Sequence, residues 1–220
     1  MRLFWLLAAL MSAFLLSAGA DAQGQRDWRK AVRATPGGAH VVGNPAAKVK
    51  LVEYLSYTCP HCGEFVRDSK APLLDGMVRN GSVSIELRPL TRNGIDLAAG
   101  MLVRCTGPAG LLAAQEAVFA QQPAMLAKAQ RLQIAQDAPQ AQQLKAAADG
   151  TGLTALLDKR IPGGAAKCLA ATADRDRLIA IAQGASGRIR GTPSFEINGQ
   201  LVEGHDWASL EPQLRAAGAR

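Results

Sequence analysis

The chain reads as an α/β fold interrupted by a long all-helical insertion, and three features of its 220 residues predict this. A strand, a helix and a second strand follow one another between Lys48 and Arg88. Strand signals then vanish until about Gln183, and they return as a hairpin followed by one last helix. Because 48% of the residues are hydrophobic, a sizeable core can form, which excludes wholesale disorder.

At the N-terminus, Met1 and Arg2, the apolar run Leu3 to Leu16 and the small residues Ser17-Ala18-Gly19-Ala20-Asp21-Ala22 have the pattern of a secretory leader, residues 1–22, cut after Ala20 or after Ala22. The apolar run is 14 residues, short for a membrane span, and no later stretch approaches about 18, so the mature chain is expected to be soluble and exported. No Cys stands near the cleavage site to receive a lipid. Residues 23–46 are polar, with turn signals at Pro36-Gly37-Gly38 and Gly43-Asn44-Pro45. They predict a loose N-terminal arm with a single short edge strand at His40-Val41-Val42.

Residues 47–90 hold the strand–helix–strand unit. Lys48 to Ser56 is rich in β-formers; after Thr58-Cys59-Pro60 the apolar positions Phe65, Val66, Leu73, Leu74, Met77 and Val78 predict one helix ended by Asn80-Gly81. Ser82 to Arg88 alternates strictly, and the crossover is long enough for parallel pairing. Residues 91–183 are Ala-, Leu-, Gln- and Lys-rich, punctuated by Pro and Gly, and predict helices alone. Residues 184–220 return to the α/β unit. Ser194–Ile197 and Gln200–Glu203 flank Asn198-Gly199, a pair suited to a type I′ turn, and Asp206 caps a final helix through Leu210 and Leu214.

Lys and Arg number 25 against 18 Asp and Glu, a net charge of +7, which leaves nucleic acid and anionic surfaces open as partners. Only ten aromatic residues occur, however, and Phe4, Trp5 and Phe14 fall in the leader. The stacking platforms of single-strand binders are missing, so nucleic acid is not an expected partner.

All four cysteines lie beyond the leader, where disulfides persist. Cys59-Pro60-His61-Cys62 places two sulfurs three positions apart at a helix start. There Pro60 fits the first turn, and the helix dipole with its unpaired N–H groups stabilises a thiolate at Cys59. Cys59 is the candidate nucleophile and the deeper Cys62 the resolving thiol, with His61 available to support the Cys59 thiolate as a cation or hydrogen-bond donor. A stabilised thiolate favours the dithiol and makes the disulfide oxidising. The competing reading is a structural bridge or a metal half-site, but no second close Cys or His pair exists to complete a zinc site, so neither metal nor cofactor is expected. Glu53 shares strand parity with Val49, Leu51 and Leu55 and should face an apolar layer, where its raised pKa would let it move protons to and from Cys62. The alternative is an exposed charge on the strand flank. Cys105 shares a helical face with Leu97 and Met101, and Cys168 is placed at the start of another helix; they form either a structural disulfide, the pairing expected here, or two separately buried thiols.

Leu51-Val-Glu-Tyr-Leu-Ser-Tyr-Thr-Cys-Pro-His-Cys62, with Gly191-Thr-Pro-Ser-Phe-Glu-Ile-Asn-Gly199 far downstream, resembles the DsbA-like thiol:disulfide oxidoreductases of bacterial periplasms over about residues 40–217. The resemblance implies a thioredoxin-like fold with an inserted all-helical domain, a cis Pro193 beside the active-site sulfurs, substrate capture by the backbone at Thr192, and a buried acid matching Glu53. It implies an oxidase that introduces disulfides into reduced or unfolded exported proteins in the periplasm and is itself reoxidised by a membrane quinone-linked oxidase. Two alternatives stand beside it: a reductase or isomerase of the same fold, and a non-redox chaperone that holds peptides beside Pro193. The best-known oxidases carry Val before the cis-Pro, whereas Thr192 is similar to the isomerases and reductases. The dimeric isomerases add a domain ahead of the fold, and the roughly 25 residues between the leader and Lys48 are too few for one, so a monomer is expected.

Overall fold

The computed structural model describes residues 26–220. The predicted leader and both of its cleavage points lie outside the described residues. Six strands form one mixed sheet: β1 (Val32–Ala34), β2 (His40–Gly43), β3 (Val49–Leu55), β4 (Val83–Pro89), β5 (Ser194–Ile197) and β6 (Gln200–Val202), in the order β1-β2-β4-β3-β5-β6. β3 and β4 pair in parallel and every other pair is antiparallel. Both faces of β3 are covered. Val49, Leu51 and Leu55 enter the main core, while Val52 and Tyr54 face a second, smaller apolar cluster with Ala185. Only Lys50 is exposed on this strand, which explains its nearly continuous apolar composition.

The N-terminal segment departs from the expectation of a loose arm. Val32–Ala34 and His40–Gly43 form a hairpin closed by Thr35 N–H to Ala39 O at 2.8 Å, and β2 pairs with β4 on its other side, so β1 and not β2 is the edge. β1 is three residues long and mostly exposed, too short to display a period; the burial of Val41 and Val42 on both faces of β2 is set by β4, which is distant in sequence.

Helix α1 runs over Pro60–Ser69, but the single helix expected up to Asn80 changes pitch at Lys70. Lys70–Val78 is π-helical, and its wide spacing persists in Arg79 N–H to Leu74 O at 3.2 Å and Ser82 N–H to Met77 O at 3.0 Å. Pro72 supplies a cause: it has no N–H, and its ring opposes the carbonyl four residues earlier. Seven helices then lie between β4 and β5: α2 (Gly94–Cys105), α3 (Gly107–Ala120), α4 (Gln122–Ala129), α5 (Gln140–Thr151), α6 (Leu153–Leu157), α7 (Gly164–Leu169) and α8 (Thr172–Ala185). Their apolar faces join the same core as the sheet, through residues such as Met101, Leu102, Leu153 and Leu178. In the β5–β6 turn both Asn198 and Gly199 take positive φ, 51° and 85°, as a type I′ turn requires. Asp206 caps α9 (Trp207–Ala216) in a reciprocal pairing with Ser209.

Cys105, at the end of α2, is disulfide-bonded to Cys168. Cys168 stands near the end of α7 and not at a helix start, because Gly163 and Gly164, both at positive φ, begin that helix earlier. The bond closes a loop across 63 positions, for which the chain-entropy model gives about 4 kcal/mol. Denaturant unfolding of Cys105→Ser/Cys168→Ser is expected to show a loss of that order, with Cys59 and Cys62 free to react as before.

Candidate active site

β3 ends at Leu55, and Ser56-Tyr57-Thr58 turns the chain into α1. Cys59 is the N-cap, with φ −92° and ψ 115°, and Pro60 is the first helical residue, where its missing N–H costs nothing. Both sulfurs are unbonded here, in the dithiol state. Cys59 is 5% exposed and Cys62 is fully buried. Cys62 N–H and Gly63 N–H donate to Cys59 O at 3.0 and 3.4 Å, the first bonds of the helix.

The two sulfurs sit in different surroundings. Burial pushes the Cys62 thiol well up, while the Ser56 N–H, 3.4 Å from its sulfur, pulls the other way. The Thr192 hydroxyl also favours the Cys62 thiolate, though it stands outside hydrogen-bond geometry and is buried without a partner among the described residues. Cys59 Sγ donates to the Thr192 carbonyl at 3.1 Å. The Thr192–Pro193 peptide bond is cis, and the loop is tied by Ser194 Oγ–H to Gly191 O at 2.8 Å and by His205 Nδ1 to Pro193 O at 2.9 Å. Since a carbonyl only accepts, Nδ1 carries the proton of that imidazole.

His61 is placed differently from its sequence reading, whereas Glu53 lies on the apolar face that its strand parity predicts. The His61 ring is 74% exposed and pairs through Nδ1 with Glu64 at 3.1 Å, one turn along α1, rather than with Cys59. Glu53 is 4% exposed on the core face of β3, opposite Leu87 and Phe195. Among the described residues, no hydrogen bond joins its carboxyl to either sulfur. It borders two small cavities, one lined by Phe65, Ser69 and Lys70, the other by Leu55, Tyr57 and Phe119. Burial alone pushes its pKa up to about 8, so it is largely protonated at neutral pH.

Several residues that hold the site went unnoticed in the sequence. Asp96, fully buried in the first turn of α2, accepts from Ser56 Oγ–H at 3.0 Å, Thr58 N–H at 2.9 Å, Thr58 Oγ1–H at 3.1 Å and Arg92 N–H at 3.1 Å. Burial raises its pKa and these four donors oppose the rise. Gln122 donates from Nε2 to Tyr57 O and Cys59 O, and Phe119 stacks on Tyr57 with ring centroids 5.1 Å apart. In the sequence Asp96 reads as an ordinary acid in a helix's first turn, and Gln122 is one glutamine in a glutamine-rich insertion. Among the described residues, no three His, Cys, Asp or Glu side chains converge as a metal site needs, and no helix is long and apolar enough to cross a membrane.

A strand, a Cys-x-x-Cys helix start and a cis-Pro loop facing it form the frame of thioredoxin-type proteins, and a family model described as thioredoxin matches residues 35–216. The chain belongs to the thioredoxin family. A protein-disulfide isomerase from Novosphingobium aromaticivorans is similar over 81% of this chain and 96% of its own, with 34% identity and a TM-score of 0.72. The alpha-DsbA1 protein of Wolbachia pipientis, 18% identical with a TM-score of 0.61 over 86% of this chain and 95% of its own, shares the fold, a thioredoxin-like sheet with a helical insertion. A Rickettsia bellii protein named "Putative protein-disulfide oxidoreductase" is 33% identical over 67 residues, 30% of this chain. That match spans 26% of the Rickettsia protein's length.

Glu53 sets a pH dependence whose sign follows from its burial. Between pH 4.5 and about 8 the folded protein keeps a proton that the unfolded chain has released, so this residue's contribution makes stability fall as pH rises through that window. Glu53→Gln removes the penalty. Denaturant melts are expected to show the variant gaining on the native protein by a few kcal/mol from pH 4.5 to pH 8; a constant difference across that range would rule the buried proton out.

Proposed function

We propose that this protein is an exported thiol:disulfide oxidoreductase that introduces disulfides into reduced polypeptides in the periplasm. The observation that carries the reading is the placement of Cys59 as N-cap of α1, facing the Thr192 carbonyl, with Cys62 buried one turn behind it. In the oxidised enzyme, a substrate thiolate attacks Cys59 Sγ. The Cys59–Cys62 bond breaks, and Cys62 leaves with the electron pair and takes a proton, its thiol form being the one burial favours. A second substrate thiolate then attacks the substrate sulfur of the mixed disulfide, and Cys59 leaves with the electron pair and takes the second proton, giving the thiol that donates to Thr192 O. Two electrons and two protons pass from substrate to enzyme, and a membrane quinone-linked oxidase takes them away.

In this reading Pro60 shapes the helix start, while Thr192 and Pro193 offer backbone groups to an extended substrate segment, a permissive mode that suits many unfolded proteins. The Thr192 carbonyl now holding the Cys59 thiol is freed when that sulfur is bonded. Glu53 serves as a buried proton store on the core side of β3. His61, exposed and engaged with Glu64, contributes to the field at the mouth of the site. The apolar leader segment supports export, and the protein acts as a monomer.

A second reading, reductase or isomerase, is favoured by Thr192 and by the name of the Novosphingobium relative. Stability separates the two. An oxidising disulfide must make the folded dithiol the more stable form by the same free energy that drives oxidation of substrate. Denaturant melts at pH 7, with Cys105–Cys168 intact, are expected to show protein reduced at Cys59 and Cys62 unfolding at higher denaturant than the oxidised protein. Should the oxidised form be more stable by about a kcal/mol or more, the chain is built to reduce. In the same preparation Cys59→Ser should abolish exchange, and Cys62→Ser should accumulate mixed disulfides at Cys59.

A further inference from the structure

The turn carrying Cys59 has β3 behind it and the helical insertion in front. From the insertion comes Gln122, the first residue of α4 and 4% exposed. A carboxamide nitrogen has two hydrogens, and both are used: Nε2 donates to Tyr57 O at 2.8 Å and to Cys59 O at 2.9 Å. The second acceptor belongs to the nucleophile's own peptide group, which also receives the first N–H groups of α1. The amide lies against the first turn of that helix, and residue 63 makes the space. A Cβ on Gly63 would collide with Gln122 Oε1 and stand 3.2 Å from its Cδ. Gly63 is not among the glycines at positive φ, so backbone freedom does not explain it, and a glycine inside a helix weakens the helix.

We propose that Gln122 is a positioning residue for Cys59, and that position 63 is glycine in order to seat it. The proposal rests on the thiol-exchange reading and adds to it a clamp from the insertion onto the nucleophile's backbone. In exchange, Cys59 Sγ alternates between Cys62 and a substrate sulfur, while its peptide group stays where Cys62 can reach it. Moving the clamp strands a buried amide and the Tyr57 carbonyl and takes one donor from Cys59 O, which holds the backbone in one place. The step that depends on this is the intramolecular one, the attack of Cys62 on a mixed disulfide at Cys59, whose rate is set by orientation. Attack by an external thiol approaches from solvent and does not need the clamp.

Mixing reduced protein with excess glutathione disulfide separates the two steps. Cys59 attacks one glutathione sulfur and releases the first glutathione thiolate; Cys62 then attacks Cys59 Sγ and releases the second, leaving the Cys59–Cys62 disulfide. Gln122→Ala is expected to leave the first release near its native rate and slow the second by about tenfold. Gly63→Ala, which keeps the amide but pushes it aside, should slow the second release similarly. Combined, the two should be no slower than Gln122→Ala alone, since no Oε1 remains to collide with the new methyl. Gln122→Glu keeps the length without the donors and should not restore the rate. Native second-step rates in both single variants overturn the clamp, as do losses that multiply in the double variant. If Gln122→Ala does not fold, Gly63→Ala decides in the same way. A native protein that forms no mixed disulfide at Cys59 overturns the exchange reading and the clamp with it, a result distinct from unchanged rates in the variants.

Discussion

The turn Ser56–Cys59 joins a buried strand to a helix at a depth where little water can reach its peptide groups. Every N–H and C=O there must find a partner in the protein. The Cys59 N–H takes the Ser56 carbonyl, the Thr58 N–H takes the Asp96 carboxylate, and the Tyr57 and Cys59 carbonyls take the Gln122 amide. Asp96 and Gln122 both belong to the insertion, so the insertion is part of the site. Removing Asp96 would take a shared acceptor from the Ser56, Thr58 and Arg92 donors, and removing Gln122 would leave the Tyr57 carbonyl unpaired, so the helix start with its sulfur would be free to drift.

The sheet carries two nearly fully buried carboxylates, and they meet the cost of burial in opposite ways. Glu196, on the face of β5 that meets the smaller cluster, accepts from Tyr54 Oη at 2.8 Å and from Arg188 at 2.6 Å, and stays within a chain of partners that runs on through Arg88 to Glu86. Glu53, on the opposite face, has no such partner among the described residues and holds a proton instead. A paired carboxylate is a fixed part of the architecture, whereas an unpaired one able to gain and lose a proton near neutral pH suits proton traffic. The difference comes from the face each strand residue presents, and β3 and β5 register Glu53 against Phe195 and Val52 against Glu196.

Much of the molecule was legible in the chain because it rests on local rules. The β3–α1–β4 unit follows from a β-rich run, a Cys-Pro helix start and an alternating run; the β5–β6 turn follows from Asn198-Gly199, and the start of α9 from Asp206. Glu53 was legible by parity alone, since strand residues two apart share a face. The long helix through Asn80 was not, because a helical period in Leu73, Leu74, Met77 and Val78 is compatible with both an α- and a π-helical path around Pro72. β1 was missed, and β2, legible as a strand, was placed at the edge, for another reason: a three-residue strand has no period, and the pairing of β2 with β4 is set by hydrogen bonds to a partner far along the chain.

By itself the sequence determined which residues could do the chemistry. A dithiol at i and i+3, placed where a strand gives way to a helix, leaves the outer sulfur at the helix N-terminus and the inner one a turn deeper, because helix geometry allows nothing else. Tertiary structure decided what surrounds those sulfurs. It brought Thr192 to Cys59 across 133 positions, Asp96 to Thr58 across 38 and Gln122 to Cys59 across 63, and it turned His61 outward to Glu64. None of these contacts has a local signature, since Asp, Gln and Thr carry the same propensities wherever they occur. Their roles exist only because packing the insertion and the cis-Pro loop against the sheet buries this turn, where the Asp96 and Gln122 side chains and the Thr192 carbonyl meet its polar groups.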